Sequence, residues 1–571
     1  MMMQYKALEF CACKSIMSNK DIRASVVMLE CTSKCISTTE PYRILGREKG
    51  VGTAFRVDHK YFPSSAPWNT KNTILFLTNW HVVEACERRR VRIRTTKSPS
   101  YCCGEVVHAV PALDFAVVAV KQTEEDETLD PFCSAPTSVL QDIRCVELHV
   151  EPLQANQQRI FACGFPMFLE AYVSQGILGS RNSDSCDFWT IDCSVNSGNS
   201  GGPVVLEDGR CFGIATAVES EAQQIAYATP ISSVLGWFRN HWTKETGIIG
   251  HFPRWDFSRL IPRTDAFDKE HGFPTDLDGA IITGLRDTCP FDLRDGDVVV
   301  SVNLSRDDVI KLDKFGTATD YEHGEPRFSI VRNAGFICGC SKNTTITVWR
   351  PSAKATRKVP CYPSKQLVVE QSNYPEFLNP KVSLLGSMVF MQATQDFLQD
   401  NASEDSDDED TIPPSKTFHI LRRVHTNRNK AIVVLSHFHE DAYVSSSKTL
   451  ERGDIITHIG RTAVKNVQHL DRLIQRLARE FADGNRDRIK ITATDKQVWF
   501  DLNRLYQEEQ LCVAERDASK LWLIGEKTRV VEEKKKRAAV ITRKRTFIPE
   551  VLPNSRPGSP VKKRRSSRLR H

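Results

Sequence analysis

The sequence predicts a mainly β protein, with a long β domain in front, two smaller α+β modules behind it and a basic tail outside any fold. Three observations carry that prediction. Short apolar or alternating runs bounded by turn residues recur through the first part of the chain. A Gly-Asp-Val/Ile turn occurs twice further on, and the charge balance changes abruptly towards the C-terminus.

The strand candidates are Ser25–Cys31, Thr73–Asn79, Val91–Thr95, Phe115–Val120, Arg159–Gly164, Phe188–Asp192 and Cys211–Ala217. Their even spacing between turn residues is that of an all-β barrel or sandwich. Pro230–Trp242 then reads as a closing helix, apolar at Ile231, Val234, Leu235 and Phe238. The chain has 571 residues, and at about 150 residues per domain three or four domains are expected. Asp278–Leu285, Asp295–Asn303 and Thr345–Arg350 form one strand set. Ala431–Ser436, Arg452–Gly460 and Arg488–Thr492 repeat it.

Chemistry concentrates in three fragments. Asn196-Ser197-Gly198-Asn199-Ser200-Gly201-Gly202-Pro203 is a glycine-flanked turn that presents Ser200. His81 lies in Thr78-Asn79-Trp80-His81-Val82-Val83, and Asp114 in Leu113-Asp114-Phe115-Ala116-Val117-Val118. A serine hydroxyl is a poor nucleophile until an imidazole accepts its proton, and the imidazole needs a carboxylate to fix its tautomer. Ser200, His81 and Asp114 are therefore the candidate catalytic residues. Glycine tolerates positive φ, so the N–H groups of Gly198 and Ser200 can converge on a developing oxyanion.

These fragments resemble those of the HtrA/Deg family of serine endopeptidases, and the resemblance extends beyond them, to about residues 25–505. Gly50-Val51-Gly52-Thr53-Ala54-Phe55 is similar to the family's Gly-x-Gly-Ser-Gly-Phe strand, and Tyr172–Leu178 to its Val-Thr-x-Gly-Ile-Val strand. Phe212–Ala217 and Tyr227–Ile231 follow in place. Two departures stand out: Trp80 replaces the small residue before the histidine, and Thr53-Ala54 replaces Ser-Gly.

The resemblance implies a trypsin-like double six-stranded β-barrel protease domain at 22–245, behind an extension at 1–21, with barrels near 22–125 and 140–235. PDZ domains are implied at 250–365 and at 376–505, the second interrupted by an acidic insertion at 396–416, and a disordered basic tail at 530–571. Within the second, Leu384, Leu385 and Gly386 are the candidate loop for a peptide carboxylate. The first has no matching loop, so bracing and peptide binding stay equally open for it.

The specificity pocket is expected at Ser194, six residues before the nucleophile, with Val195 and Ile214 beside it. No acid stands there to select Lys or Arg, so an uncharged aliphatic side chain is expected before the cleaved bond. The family further implies ATP-independent cleavage of proteins and a homo-oligomer built from trimers, with Tyr42 and Val51–Phe55 as candidate contacts. The alternative is a catalytically silent chaperone or PDZ scaffold.

Between Lys534 and His571 there are fourteen basic residues against one acid, Glu550, so the rest of the chain is net acidic. Pro560-Val561-Lys562-Lys563-Arg564-Arg565 suits a nuclear-import address, with the cytoplasm as the alternative and at most a slight nucleic-acid contact. The 18 cysteines show no disulfide framework and read as reduced thiols. No secretory leader or run of 18 apolar residues is seen, so neither secretion nor membrane insertion is expected. His437-Phe438-His439-Glu440-Asp441 mimics a metal-ligand spacing, but Ala442 follows where a further histidine belongs, so neither metal nor cofactor is expected.

Overall fold

A computed structural model describes residues 22–545 except 38–39, 41–42, 123–135, 152, 154–157, 167–169, 183–187, 219–224, 252–254, 286–288, 305–308, 317–343, 362–376, 378–380, 395–396, 398–430, 439–441, 443–448, 495 and 512–520. The expected contacts at Tyr42, most of the acidic insertion and the distal basic tail lie outside the described residues.

The first barrel is built from β1 (Val26–Ile36), β2 (Ile44–Val57), β3 (Thr73–Thr78), β4 (Arg90–Arg94), β5 (Tyr101–Val110) and β6 (Phe115–Lys121). It closes in the order β1-β2-β3-β6-β5-β4. Burial alternates along β4 and β5, as period-two side-chain geometry requires, whereas β3 is buried throughout. A four-residue helix, α1 (Trp80–Val83), follows β3.

The second barrel contains β7 (Arg159–Gly164), β8 (Tyr172–Asn182), β9 (Phe188–Ile191), β10 (Pro203–Leu206), β11 (Cys211–Val218) and β12 (Ala226–Pro230), closed as β10-β11-β12-β9-β8-β7. Helix α2 (Ile231–His241) buries Ile231, Val234, Leu235, Trp237 and Phe238. That apolar stripe packs into a core shared by both barrels, which includes Phe55, Leu77 and Phe115 from the first and Cys163, Val205 and Ile214 from the second. The barrels are thereby fixed against one another. Cys103 is disulfide-bonded, which corrects the reading of every cysteine as a free thiol.

The third unit is a sheet of β13 (Phe257–Ile261), β14 (Ala280–Leu285), β15 (Val298–Asn303), β17 (Thr345–Arg350) and β18 (Ala355–Pro360), with β16 (Val309–Lys311) paired to β15. Helix α3 (Asp265–His271) precedes β14 and is capped by the Thr264 hydroxyl. The fourth unit has two sheets: β19 (Val382–Leu385), β20 (Met388–Gln392) and β21 (Val433–His437), then β22 (Ile456–Ile459), β23 (Thr462–Ala463), β24 (Arg488–Ala493) and β25 (Gln497–Asp501). Helices α4 (Val467–Ala482) and α5 (Leu502–Leu511) pack on them.

The repeated Gly-Asp turn has the same architecture in both units. Gly296 and Gly453 adopt φ of 91° and 83°. Asp297 accepts from the Arg294 N–H at 3.0 Å, and Asp454 from the Glu451 N–H at 2.8 Å. The glycine N–H bonds back to Ile282 in one and Leu435 in the other. Only glycine enters that conformation without strain, and the aspartate closes the turn. These later sheets fit PDZ domains.

The fourth unit continues beyond residue 505. Helix α6 (Trp522–Arg545) occupies the start of the segment that composition assigns to a disordered tail at 530. Leu523 is fully buried in the domain core and its N–H bonds to Glu509. Arg529 reaches Glu526 and Glu533 one turn away on either side, which satisfies charges that the sequence shows only as a run. Among the described residues no helix is long and apolar enough to cross a membrane.

Candidate active site

β3 delivers His81 to the mouth of the first barrel. Asn79, before α1, donates its amide to the Asp114 carbonyl at 2.9 Å. Asp114 itself adopts the left-handed conformation, φ 48°, after the turn Pro111–Leu113. This bend aims its carboxylate at His81. The His81 backbone N–H donates to Asp114 Oδ1 at 3.0 Å, and Nδ1 lies 2.9 Å from Oδ2. A carboxylate only accepts, so Nδ1 carries the hydrogen and Nε2 is left as the basic atom. Burial disfavours the imidazolium, but the hydrogen bond to Asp114 and the charges of Asp114 and Glu84 outweigh it, and His81 titrates above the ordinary histidine value.

Trp80 is 4 % exposed and packs edge-on to Phe377, ring centroids 5.0 Å apart. The bulky residue before the histidine thus fills a contact with the chain entering the fourth unit.

Thr216 completes the carboxylate's hydrogen bonding by donating its hydroxyl to Asp114 Oδ2. Its carbonyl accepts the Ser200 hydroxyl at 3.2 Å. Ser200 therefore bonds to Thr216 rather than to His81 Nε2, and the expected Ser–His hydrogen bond is not made in this arrangement. Sequence reasoning had placed Thr216 only within a strand; its position two residues past Ile214 gave no sign of a link to a carboxylate in the other barrel.

Around Ser200 the turn is shaped by glycines and by the first barrel. Gly198 and Gly201 have φ of 96° and 88°. A Cβ on Gly201 would lie 2.0 Å from the Thr53 carbonyl oxygen, so no side chain fits there. The Thr53 hydroxyl donates to the Gly198 carbonyl at 2.7 Å and accepts from the Phe165 N–H at 3.0 Å, while the Thr53 N–H donates to the Ser200 carbonyl at 2.8 Å. This threonine, one of the two departures from the family pattern, braces the turn from the opposite barrel. The N–H groups of Gly198 and Ser200 have no acceptor among the described residues, so they remain available to a substrate oxygen.

The expected pocket residues divide. Ser194 is exposed, Val195 is 6 % exposed inside the second barrel, and Ile214 is wholly buried in the inter-barrel core. Ile214 thus packs between barrels and does not face an open pocket, because its strand position turns it inward.

The proposed carboxylate loop also needs correction. Leu384 and Leu385 are fully buried in β19, and Gly386, φ 59°, forms the hairpin turn into β20. β20 pairs with β19 on one edge and β21 on the other, so neither edge is open for an added peptide strand. The turn already holds a carboxylate of this chain: Glu508 accepts from the Ser387 hydroxyl at 2.8 Å and its N–H at 3.3 Å. His437, first of the metal-like pair, sits 3.6 Å from Glu40, and its partner His439 lies outside the described residues.

Two six-stranded barrels with His81, Asp114 and Ser200 at their junction define a trypsin-like peptidase domain, and residues 52–214 match the family described as the trypsin-like peptidase domain. Putative serine protease HhoB of Synechocystis sp. is 29% identical over 178 residues, 29% of this chain and 38% of the relative. Serine protease HTRA2, mitochondrial, of Bos taurus is 27% identical over 251 residues, 40% of this chain and 49% of the relative. The chain spans about half or less of the length of these curated relatives. Among solved structures, HtrA-type protease AlgW with tripeptide aligns at a TM-score of 0.42 and 19% identity, covering 61% of this chain and 95% of that one. Residues 52–214 thus form a trypsin-like peptidase domain, and over this part the chain is similar to serine proteases of the HtrA type.

Proposed function

We propose that this protein is a serine endopeptidase that cleaves unfolded or specific proteins through an acyl-enzyme, without ATP. One observation carries the reading: a doubly bonded Asp114–His81 pair lies beside a serine turn whose two inner N–H groups are unclaimed. On binding substrate, Ser200 turns from the Thr216 carbonyl to His81 and gives its proton to Nε2 as Oγ attacks the scissile carbonyl carbon. The N–H groups of Gly198 and Ser200 receive the oxyanion. His81 then passes the proton to the leaving amine, and water, activated the same way, releases the acid.

An uncharged Ser194 favours a small aliphatic side chain before the cleaved bond. The second of the later modules regulates rather than captures: its β20 is paired on both edges, and Phe377 rests on Trp80, next to His81. Family resemblance supports a homo-oligomer built from trimers, and the basic tail supports a nuclear address.

A second reading, a chaperone silent at rest, is favoured by the bond from Ser200 to Thr216. Incubation with reduced casein, beside a Ser200→Ala control, separates them. Cleavage by the wild type alone, after small aliphatic residues, supports the protease. Suppressed client aggregation by both proteins, with no cleavage by either, supports the chaperone.

A further inference from the structure

The fourth unit has a cavity of about 620 Å³ between α4 and the β22–β25 sheet. Four cations line it, Arg461, Arg476, Arg486 and Lys490, against one carboxylate, Glu480. Glu480 is taken by Arg486 at 2.8 Å. Arg461, Arg476 and Lys490 make no ion pair among the described residues, although exposed arginines elsewhere on this surface, such as Arg479 and Arg529, are paired. Three unneutralised charges around one concavity focus a positive potential into it.

The wall between them is aromatic. Trp499 on β25 is the partner of Lys490 on β24 in strand register, and it is 63 % exposed. Of nine tryptophans in the chain it alone is exposed; Trp68, Trp80, Trp189, Trp237, Trp255 and Trp349 are buried. Exposing an indole wastes apolar surface unless a planar group covers it. Leu473 and Leu477 of α4 supply an apolar floor.

We propose that this cavity binds a short stretch of single-stranded nucleic acid, a base stacking on Trp499 and the flanking phosphates resting on Arg461, Arg476 and Lys490. Stacking platforms set among cations are how single strands are held without sequence preference. An acidic peptide would use the cations but not the indole face. None of the residues lining the cavity belongs to the protease cleft or to the basic tail.

Because the tail attracts any polyanion, the test compares variants of the full chain by fluorescence anisotropy. The probe is a fluorescein-labelled oligothymidylate, with linear inorganic polyphosphate as the competing polyanion. Trp499→Leu should weaken oligothymidylate binding about 5- to 150-fold and leave polyphosphate binding unchanged. Trp499→Tyr should restore the loss. Changing Arg461, Arg476 and Lys490 together to Gln should flatten the salt dependence by about two in slope, at roughly 0.7 per phosphate contact.

Unchanged oligothymidylate affinity in Trp499→Leu overturns the proposal, since binding would then reside in the tail. Equal loss towards both polyanions also overturns it, marking a plain anion site. So does an oligoglutamate peptide that binds as tightly as the oligonucleotide. Thermal unfolding of each variant separates lost binding from lost fold, and a Trp499→Tyr protein that is folded but fails to bind counts against stacking.

Discussion

Replacing Thr53 by Val tests whether the first barrel shapes the serine turn of the second. The side chain is fully buried and its hydroxyl makes two bonds, to the Gly198 carbonyl at 2.7 Å and from the Phe165 N–H at 3.0 Å. Valine has the same shape but leaves both backbone groups buried and unpaired. Each orphan costs about 1–3 kcal/mol, so stability should fall by about 2–6 kcal/mol. Domains typically hold about 5–15 kcal/mol, and the fold should survive. The larger effect is catalytic. Without its anchor the Gly198 carbonyl is free to rotate, and the N–H groups of Gly198 and Ser200 on either side lose their common aim. Loss of one such donor lowers kcat about 100-fold or more. Thr53→Ser keeps the hydroxyl and drops one methyl group, so its stability should fall by only about 1 kcal/mol and its rate should stay near wild type. Initial rates on labelled casein and urea unfolding give both quantities. A folded Val variant with wild-type kcat/KM refutes the bracing argument, as does a Ser variant as slow as Val.

The acid limb of the kcat/KM profile should lie above the ordinary histidine value of 6.5, because His81 must be neutral to act and its pKa is raised. Asp114→Asn removes the main raising partner and should shift the limb to lower pH while costing roughly 10⁴-fold in rate, read from a pH series on casein. His108 is a separate acid-sensitive group. Burial pushes its pKa down to about 3, although its bond to the Gly247 carbonyl works the other way. Its ring is enclosed by Trp68, Phe115, Trp237, Phe238 and Trp242, with no acid among the described residues to stabilise a charge. The unfolded chain takes up a proton below about pH 6.5 and the folded chain does not, so stability is whole above that value and declines as pH falls towards 3, by at most about 5 kcal/mol. His108→Phe should flatten that decline in urea titrations at successive pH values.

The barrels were legible because their strands alternate and their turns are punctuated, and the His, Asp and Ser fragments were legible because each sits in a motif of its own. Thr53 and Thr216 were not. Their hydroxyls act on groups 145 and 102 residues away, and nothing local to either threonine announces a partner across the barrel junction. Leu384-Leu385-Gly386 misled for the opposite reason: a glycine turn before a strand reads alike whether it is open or, as here, buried by β19 and Glu508. Helix α6 was hidden by composition, since its charges register as a run until Glu526, Arg529 and Glu533 are seen one turn apart.

The brace between Thr53 and the serine turn also bears on how the protein is made. His81, Asp114 and Thr53 leave the ribosome long before Ser200, and the turn around Ser200 takes its shape from a strand that must already be folded and docked. A nascent or half-folded chain consequently carries the reactive groups without the geometry that joins them. On the proposed reading as an endopeptidase, competence therefore waits for the second barrel to close on the first, and an unfinished chain does not cut itself or its neighbours.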